Sequence, residues 1–511
     1  MSLTALLALG AAGGCRENGG DIDDSLVSET QAALVAGYNG ATTESVTSEY
    51  DLGGRFQSET SMAISTYNGN TVRIVAYNAQ DYPPYETFDT TYRYYTTYAS
   101  LMGWSFRPAA SGNAWDYGNV YDMDLFGWNW TLVYGDPSIA AMPNTPNAYL
   151  ANLASNKAFS TAMDPGKSPN PTETGLGNGG CVARSTDQGQ TFHMWKCLSN
   201  ANARYDGSSV VALSDSTGTK QRIYVAFHNM STRPYPIDVW YYNETTGDFV
   251  LTPDPFPNYG IGSHPRLYST NRYDGQLKVY LAAVDDGNQL LMNSHDGTSW
   301  GTPVVVAQGV QYQASVILKD TAKTTIKYAP GFAFAVGRSE YNNSIAEARF
   351  FYTKSANSRT FLQGVRCVFD GTACTSPKEW VTTQPSFPTG QSFSPAVDAG
   401  YNSANQWDWR VSYYTDNENV STGQLKLYHG KPQATSVKTF YFSPRAATAA
   451  QTPCPNKRNG YWGDYDDMRA DPAGNGIYYR MITDSTGPAC DRSYPLRAIP
   501  QHVTEVTLPK I

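Results

Sequence analysis

The chain has 511 residues, of which 41% are hydrophobic, 13% aromatic and only 16% charged, with a formal net charge of -8. No Lys/Arg-rich run interrupts that acidic average, which excludes the basic face that a sequence-independent grip on nucleic acid requires. No long stretch places apolar residues at a 3.6 period between capping residues, which argues against a helical or doubly wound fold. The 44 Gly, 30 Pro and 37 Tyr are spread along the chain and point to an all-β fold.

In chain order, the first feature is a short apolar run from Leu3 to Ala12, followed by Gly13-Gly14-Cys15. It is too short to cross a bilayer as a helix and suits the apolar region of an export signal. Small residues before a cysteine are similar to a bacterial lipoprotein cleavage site, in which Cys15 would become the lipidated N-terminus, although no Lys or Arg precedes the run. Residues 1–15 are therefore expected to direct export to a bacterial cell envelope or to the outside. Residues 16–50 are rich in Gly, Ser, Thr, Asp and Glu and read as a flexible tether, with a short helix over Glu29–Val35. Residues 51–511 form the folded domain.

Internal repetition decides the fold. A short polar opening leads into a strand of small or apolar residues, then a turn, then a strongly apolar-aromatic strand. The instances are Ser58–Ile64 with Val72–Tyr77, Asp136–Ala140 with Ala148–Ala151, Asp206–Val211 with Ile223–Phe227, and His264–Leu267 with Val279–Ala282. Gln313–Val316 with Gly331–Val336, Ser394–Val397 with Trp409–Tyr414, and Asp464–Met468 with Gly476–Met481 complete the series. The spacing averages roughly 64 residues, in the upper range of propeller repeats once loops are included. Small residues suit a crowded axis and bulky ones the packing between blades. The expected fold is thus a single all-β propeller of four-stranded blades, seven in number with six as the alternative.

A second element recurs later in the repeats. Ser185-Thr186-Asp187-Gln188-Gly189-Gln190-Thr191-Phe192 has the Ser-x-Asp-x-Gly-x-Thr-Phe pattern of an Asp-box, and Ser294–Trp300 is a shortened copy. Its Asp and Ser can bond turn amides, its Gly permits positive φ and its aromatic plugs the blade. Degenerate copies run over Ser100–Phe106, Asn243–Phe249 and Ser355–Phe361. On these boxes and their flanking strands, the chain from about Glu59 resembles the bacterial-neuraminidase-repeat propellers of the sialidase superfamily. The resemblance makes Asp187 and Asp296 structural turn residues on the rim.

Seven cysteines are present, and setting Cys15 aside leaves six. The simplest pairing is local, Cys181–Cys197, Cys367–Cys374 and Cys454–Cys490, among the many connectivities six cysteines permit. No CxxC or Cys/His spacing suggests zinc. Local disulfides fit an oxidising compartment.

Fold alone does not give function, so the site rests on the polar residues at the strand openings, where the axial funnel of a propeller lies. Arg55, Glu59, Asp136, Arg204, Asp206, His264, Arg266, Asp464 and Tyr465 are those residues. Converging there, they would bind a sugar or supply an acid and a base; taken singly, an Asp or Ser at such a position more often caps its own turn. The resemblance implies a Tyr nucleophile activated by Glu, an Asp acid/base and an arginine clamp, the known exception to the two-carboxylate scheme. Tyr465, in Gly463-Asp464-Tyr465-Asp466-Asp467, is similar to the nucleophile segment, with Asp464 beside it and Glu59 as activating carboxylate. Arg55, Arg204, Arg266, Asp136 and Asp206 fall to substrate binding. The family's Phe/Tyr-Arg-Ile-Pro segment is absent, and Gly54-Arg55-Phe56 is the nearest stretch. His264 with Arg266 and a neighbouring Tyr fits instead the His/Tyr/Arg chemistry of propeller polysaccharide lyases.

The expected function is carbohydrate-active, as a sialidase-like glycoside hydrolase or a polysaccharide lyase, with a non-catalytic propeller binding a glycan or protein as the alternative. The expected partner is a glycan or polysaccharide, with the membrane reached only through a lipid anchor. No cofactor is required on this reading. The aromatic, acidic segment Tyr82–Val133, with Asp116, Asp122 and Asp124, offers oxygen ligands for a structural calcium, though without EF-hand spacing.

Overall fold

A computed structural model describes residues 42–45, 56–80, 100–108, 115–119, 130–133, 135–156, 178–200, 203–215, 217–231, 233–271, 276–312, 314–317, 325–328, 331–338, 346–356, 359–370, 373–382, 392–401, 407–416, 423–429, 437–441, 467–485 and 501–508. All elements among them are strands. Strand β1 is Thr42–Ser45. The first sheet follows with β2 (Phe56–Tyr67), β3 (Asn70–Gln80), β4 (Ser100–Pro108) and β5 (Asp116–Asn119). Next come β6 (Trp130–Val133), β7 (Ser138–Ala141), β8 (Ala148–Asn156), β9 (Asn178–Ser185) and β10 (His193–Leu198). A four-stranded sheet comprises β11 (Tyr205–Ser214), β12 (Gln221–Asn229), β13 (Ile237–Asn243) and β14 (Asp248–Leu251), and another β15 (Arg266–Tyr268), β16 (Val279–Val284), β17 (Gln289–His295) and β18 (Val304–Gln308). The hairpin β19 (Ala314–Ile317) and β20 (Thr325–Tyr328) stands alone. Two more four-stranded sheets are β21 (Phe332–Arg338), β22 (Ala346–Ala356), β23 (Arg359–Asp370), β24 (Ala373–Thr382), and β25 (Ser392–Tyr401), β26 (Trp407–Asp416), β27 (Gly423–His429), β28 (Val437–Tyr441). The last strands are β29 (Met468–Ala470), β30 (Tyr478–Ser485) and β31 (Gln501–Leu508).

The arrangement is a β-propeller. The four-stranded sheets are antiparallel meanders, while one larger sheet runs β29-β30-β31-β2-β3-β4-β5 and joins the two ends of the chain through a parallel pairing of Phe56 with Gln501. Around the axis β2 packs on β7, β7 on β11, β11 on β15, β15 on β21, β21 on β25, β25 on β29, and β29 on β2. Strand β1 pairs antiparallel with β31, so four residues of the segment read as tether complete the sheet of the far end of the chain.

Burial on both faces explains the second strands. Val279–Val284 is buried at every position, and Ile223–Phe227 likewise. A strand sandwiched between two sheets has no solvent face and so shows a continuous apolar run, not alternation. The core is accordingly a series of layers between neighbouring sheets. One layer joins Ile74 and Ala76 to Ile139 and Leu150. The next joins Tyr149 and Val182 to Val225 and Phe227. A further one joins Tyr224 and Val239 to Leu281 and Leu291.

Between inner strands the connections are made by side chains. The Ile139 N–H donates to Ser61 Oγ at 3.1 Å, the Val210 N–H to Ser138 Oγ at 2.9 Å, and the Leu267 N–H to Ser209 Oγ at 2.8 Å. Farther round, the Ala470 N–H donates to Asp398 Oδ2 at 2.7 Å and the Met62 N–H to Asp467 Oδ2 at 2.9 Å. All five run in the same rotational sense, from the next inner strand back to the previous one.

Two readings of the repeat differ from this arrangement. Ala314–Ile317 pairs with Thr325–Tyr328, not with the strand that begins at Phe332, which opens its own sheet. The degenerate boxes at Ser100–Phe106 and Ser355–Phe361 do not share the phase of the others. The former lies within β4, and the latter links the second and third strands of its sheet. Short Ser/Gly/aromatic matches arise easily in a chain this rich in those residues.

Candidate functional site

Asp136 stands two residues before β7, Asp206 is the second residue of β11, and His264 stands two residues before β15. Because these inner strands are successive neighbours running the same way along the axis, their openings meet at one end. One ligand atom from each of Asp136, Asp206 and His264 lies within 4.8 Å of the other two.

The backbone there is unusual. Asp136 has φ +52° and Gly207 φ +59°. The ladder between β11 and β12 shifts register between Asp206 and Ser208, so Gly207 is a bulge residue that re-aims its neighbours. Asp136 Oδ2 accepts the Gly207 N–H at 2.9 Å, and the Ser208 hydroxyl donates to the Asp136 carbonyl. A Cβ on Gly207 would sit 2.4 Å from His264 Cγ, so the base of the imidazole packs against a position that only glycine can fill.

His264 is buried, at 4% exposure, whereas the side chain of Asp206 is 36% exposed. Its Nε2 lies 3.4 Å from Asp206 Oδ2. The His264 backbone N–H donates to the Tyr312 hydroxyl at 3.3 Å, and the two rings meet edge to face at 5.8 Å. Burial pushes the Asp206 carboxyl up, but the charge and hydrogen bond of His264 outweigh it and hold the group well below the usual carboxylate range. Behind Asp206, His228 pairs with it across the ladder and donates from Nε2 to the Ile261 carbonyl at 2.9 Å. Burial lowers His228 to about 4, so it is neutral at pH 7.

Arg266 opens β15 and is half-buried; Arg204 is exposed, and its carbonyl accepts the Met230 N–H at 2.8 Å. Glu59 lies in the irregular stretch of β2 between Ser58 and Ser61, its side chain outside the described residues. Arg55, Asp464 and Tyr465 also lie outside them, as do Asp122, Asp124, Cys15, Cys454 and Cys490. Among the cysteines, Cys181 and Cys197 face one another across β9 and β10 and are bonded. Cys367 is disulfide-bonded as well, and the side chain of Cys374, on β24, is outside the described residues.

The segment Ser185–Phe192 is the turn from β9 to β10. The Ser185 hydroxyl donates to Asp187 Oδ1 at 2.7 Å and accepts the Gly189 N–H at 2.8 Å, and the Thr191 hydroxyl donates to Asp187 Oδ2 at 2.6 Å. These bonds outweigh burial and lower the Asp187 carboxyl. Asp296 closes the β17–β18 turn in the same way, accepting the Thr298 N–H at 2.8 Å. Both spend their acceptors on local amides and hydroxyls and lie far along their sheets from the cluster at the axis.

A cavity of about 370 Å³ occupies the other half of the axis, between the later residues of β2, β7, β11 and β15 and the β29–β30 turn, with Thr66, Asn144, Asn271 and Arg469 on its wall. Sequence reasoning missed Gly207, Tyr312 and the serine links. Their signal was present: an Asp-Gly pair inside a strand marks a bulge, and a serine recurs just before the first apolar residue of several inner strands.

The fold and the convergence at the inner-strand openings define a β-propeller with a polar funnel. Solved structures similar to this chain include sialidases and fungal lectins. A Hadza microbial sialidase matches at 10% identity and TM-score 0.39, over 74% of this chain and 66% of that one. Trypanosoma rangeli sialidase in complex with sialic acid matches at 12% identity and TM-score 0.38, over 76% of this chain and 58% of that one. The six-bladed, fucose-recognising lectin of Aleuria aurantia matches at 10% identity and TM-score 0.39, over 76% of this chain and 97% of that one. The chain thus spans less than two thirds of the length of either sialidase. No family model and no curated protein sequence matches it.

Proposed function

We propose that this chain is an exported, carbohydrate-active propeller of the Asp-box, sialidase-like kind, with seven blades, that engages a glycan or polysaccharide at the openings of its inner strands. The convergence of Asp136, Asp206 and His264 from three successive sheets is the observation that carries this reading. A half-exposed carboxylate held ionised and oriented from below is the group a sugar hydroxyl would meet. Export through the Leu3–Ala12 run, lipid anchoring at Cys15 and the remaining local disulfides belong to the same proposal.

For catalysis the proposal keeps Tyr465 as nucleophile with Glu59 and Asp464, giving sialidase-like hydrolysis, and Arg55, Arg204 and Arg266 as contacts for an anionic sugar. One observation favours the second reading, a non-catalytic glycan-binding propeller. His264 is buried and its Nε2 lies 3.4 Å from Asp206 Oδ2, an arrangement suited to holding that carboxylate toward a bound sugar; His264 with Arg266 remains the acid/base pair of the polysaccharide-lyase form of the proposal. The test is a panel of sialosides, fucosides and uronate polysaccharides, scored for binding and for release of reducing ends or unsaturated uronate. Binding that falls at least tenfold in Asp206→Asn is expected. Turnover lost in Tyr465→Phe assigns the enzyme, and binding without turnover assigns the lectin-like role. If no glycan of the panel binds, the reading fails.

A further inference from the structure

The cluster at the funnel has the composition and spacing of a metal site. Two carboxylates and one imidazole arrive from three separate sheets with donor atoms within 4.8 Å of one another. Two ligands about 2.1 Å from one ion at a tetrahedral angle lie about 3.4 Å apart, and the distance from His264 Nε2 to Asp206 Oδ2 is 3.4 Å. We propose that Asp136, Asp206 and His264 hold a single divalent transition-metal cation, and that glycan hydroxyl or carboxylate oxygens complete its coordination.

The donor set selects the class of ion. One imidazole nitrogen with two carboxylate oxygens suits Mn²⁺ or Zn²⁺; calcium takes 6–8 oxygens and is poorly served here. The supports of a metal site are in place as well. The Gly207 N–H holds Asp136 Oδ2, and the backbone of His264 is tied to Tyr312 while its ring rests on Gly207. Burial is one-sided: Asp136 and His264 are covered, and Asp206 borders solvent. An ion held by these three side chains would have its exchangeable positions on the Asp206 side, where an exogenous ligand could reach it. The inference rests on the glycan reading for the identity of the outer ligand, and on the three side chains alone for the ion.

The experiment uses the whole soluble chain, stripped with EDTA and titrated with MnCl₂ or ZnCl₂ in the absence of any sugar. One equivalent is expected to bind, with affinity falling at least tenfold in Asp206→Asn and in His264→Gln. Co²⁺ loaded into the unaltered protein should give d–d absorption bands of a low-coordinate site, a readout that needs no variant to fold. No stoichiometric uptake, or uptake unchanged in Asp206→Asn, overturns the cation site. Glycan binding is measured separately with and without EDTA. Sugar that binds equally in EDTA to a protein that takes up no metal leaves the glycan reading standing and sinks this one. Metal uptake without binding of any sugar does the reverse.

Discussion

The two arcs of the propeller join their inner strands by different chemistry. From β2 through β15 the link is a serine hydroxyl accepting the neighbour's N–H, at Ser61, Ser138 and Ser209. From β25 back to β2 it is a carboxylate, at Asp398 and Asp467. Asp398 is fully buried and accepts the Tyr268 hydroxyl in addition. Where a neutral, compact hydroxyl makes the link, a carboxylate at the strand opening adds to it without replacing it, as Asp136 does by accepting the Gly207 N–H of the next inner strand at 2.9 Å. Asp136 and Asp206 gather around His264. Where carboxylates are themselves the links, they are consumed by structure. Location along the axis therefore does not say what an aspartate does; its partners do.

The largest expected effect tests that contrast. Asp398→Ala strands two buried donors, Ala470 N–H and Tyr268 Oη–H, and should cost about 3 kcal/mol or more. Urea denaturation midpoints at constant slope would measure it. A cost no greater than that of a serine link would break the comparison.

Gly207→Ala comes next, at about 2 kcal/mol, since a side chain there combines positive φ with overlap of His264. Ligand affinity at the funnel should fall more than stability does, because the imidazole must move. An unchanged affinity would show that His264 does not depend on this contact. Ser209→Ala should be milder, about 1 kcal/mol, leaving the Leu267 N–H without its acceptor.

The smallest effect is in pH. His295, on the serine-linked arc, is lowered by burial from 6.5 to about 4, and its Nδ1 accepts the Gly297 N–H at 2.9 Å. Below pH 6.5 the unfolded chain takes up a proton that the folded chain refuses until about 4. Stability from this group is thus complete above 6.5, declines as pH falls and levels off below about 4. His295→Asn, which keeps an acceptor, should show a smaller drop in melting temperature between pH 7 and pH 4.5. An equal drop would place the titration elsewhere.

Much of this was legible beforehand. The apolar runs Ile223–Phe227 and Val279–Ala282 fall within β12 and β16, because a strand buried on both faces must be apolar throughout. The Ser185–Phe192 box is a turn because its own side chains satisfy its own amides, a wholly local matter. Local rules fell short at Ser138 and Ser209, expected to cap their own turns but bonded to the next inner strand instead, and at Ala314–Ile317, whose pairing partner depends on sheet assembly.

By itself, then, the sequence determined an all-β chain of repeated sheets, its rim turns and the polar residues at its strand openings, since periodicity, turn chemistry and strand burial act over a few residues. Only the tertiary structure decided which of those polar residues meet. Asp136, Asp206 and His264 are separated by dozens of residues of chain, and the ring of inner strands brings them within 4.8 Å. Which aspartates serve as buried links of the ring and which border the funnel depends on the same closure.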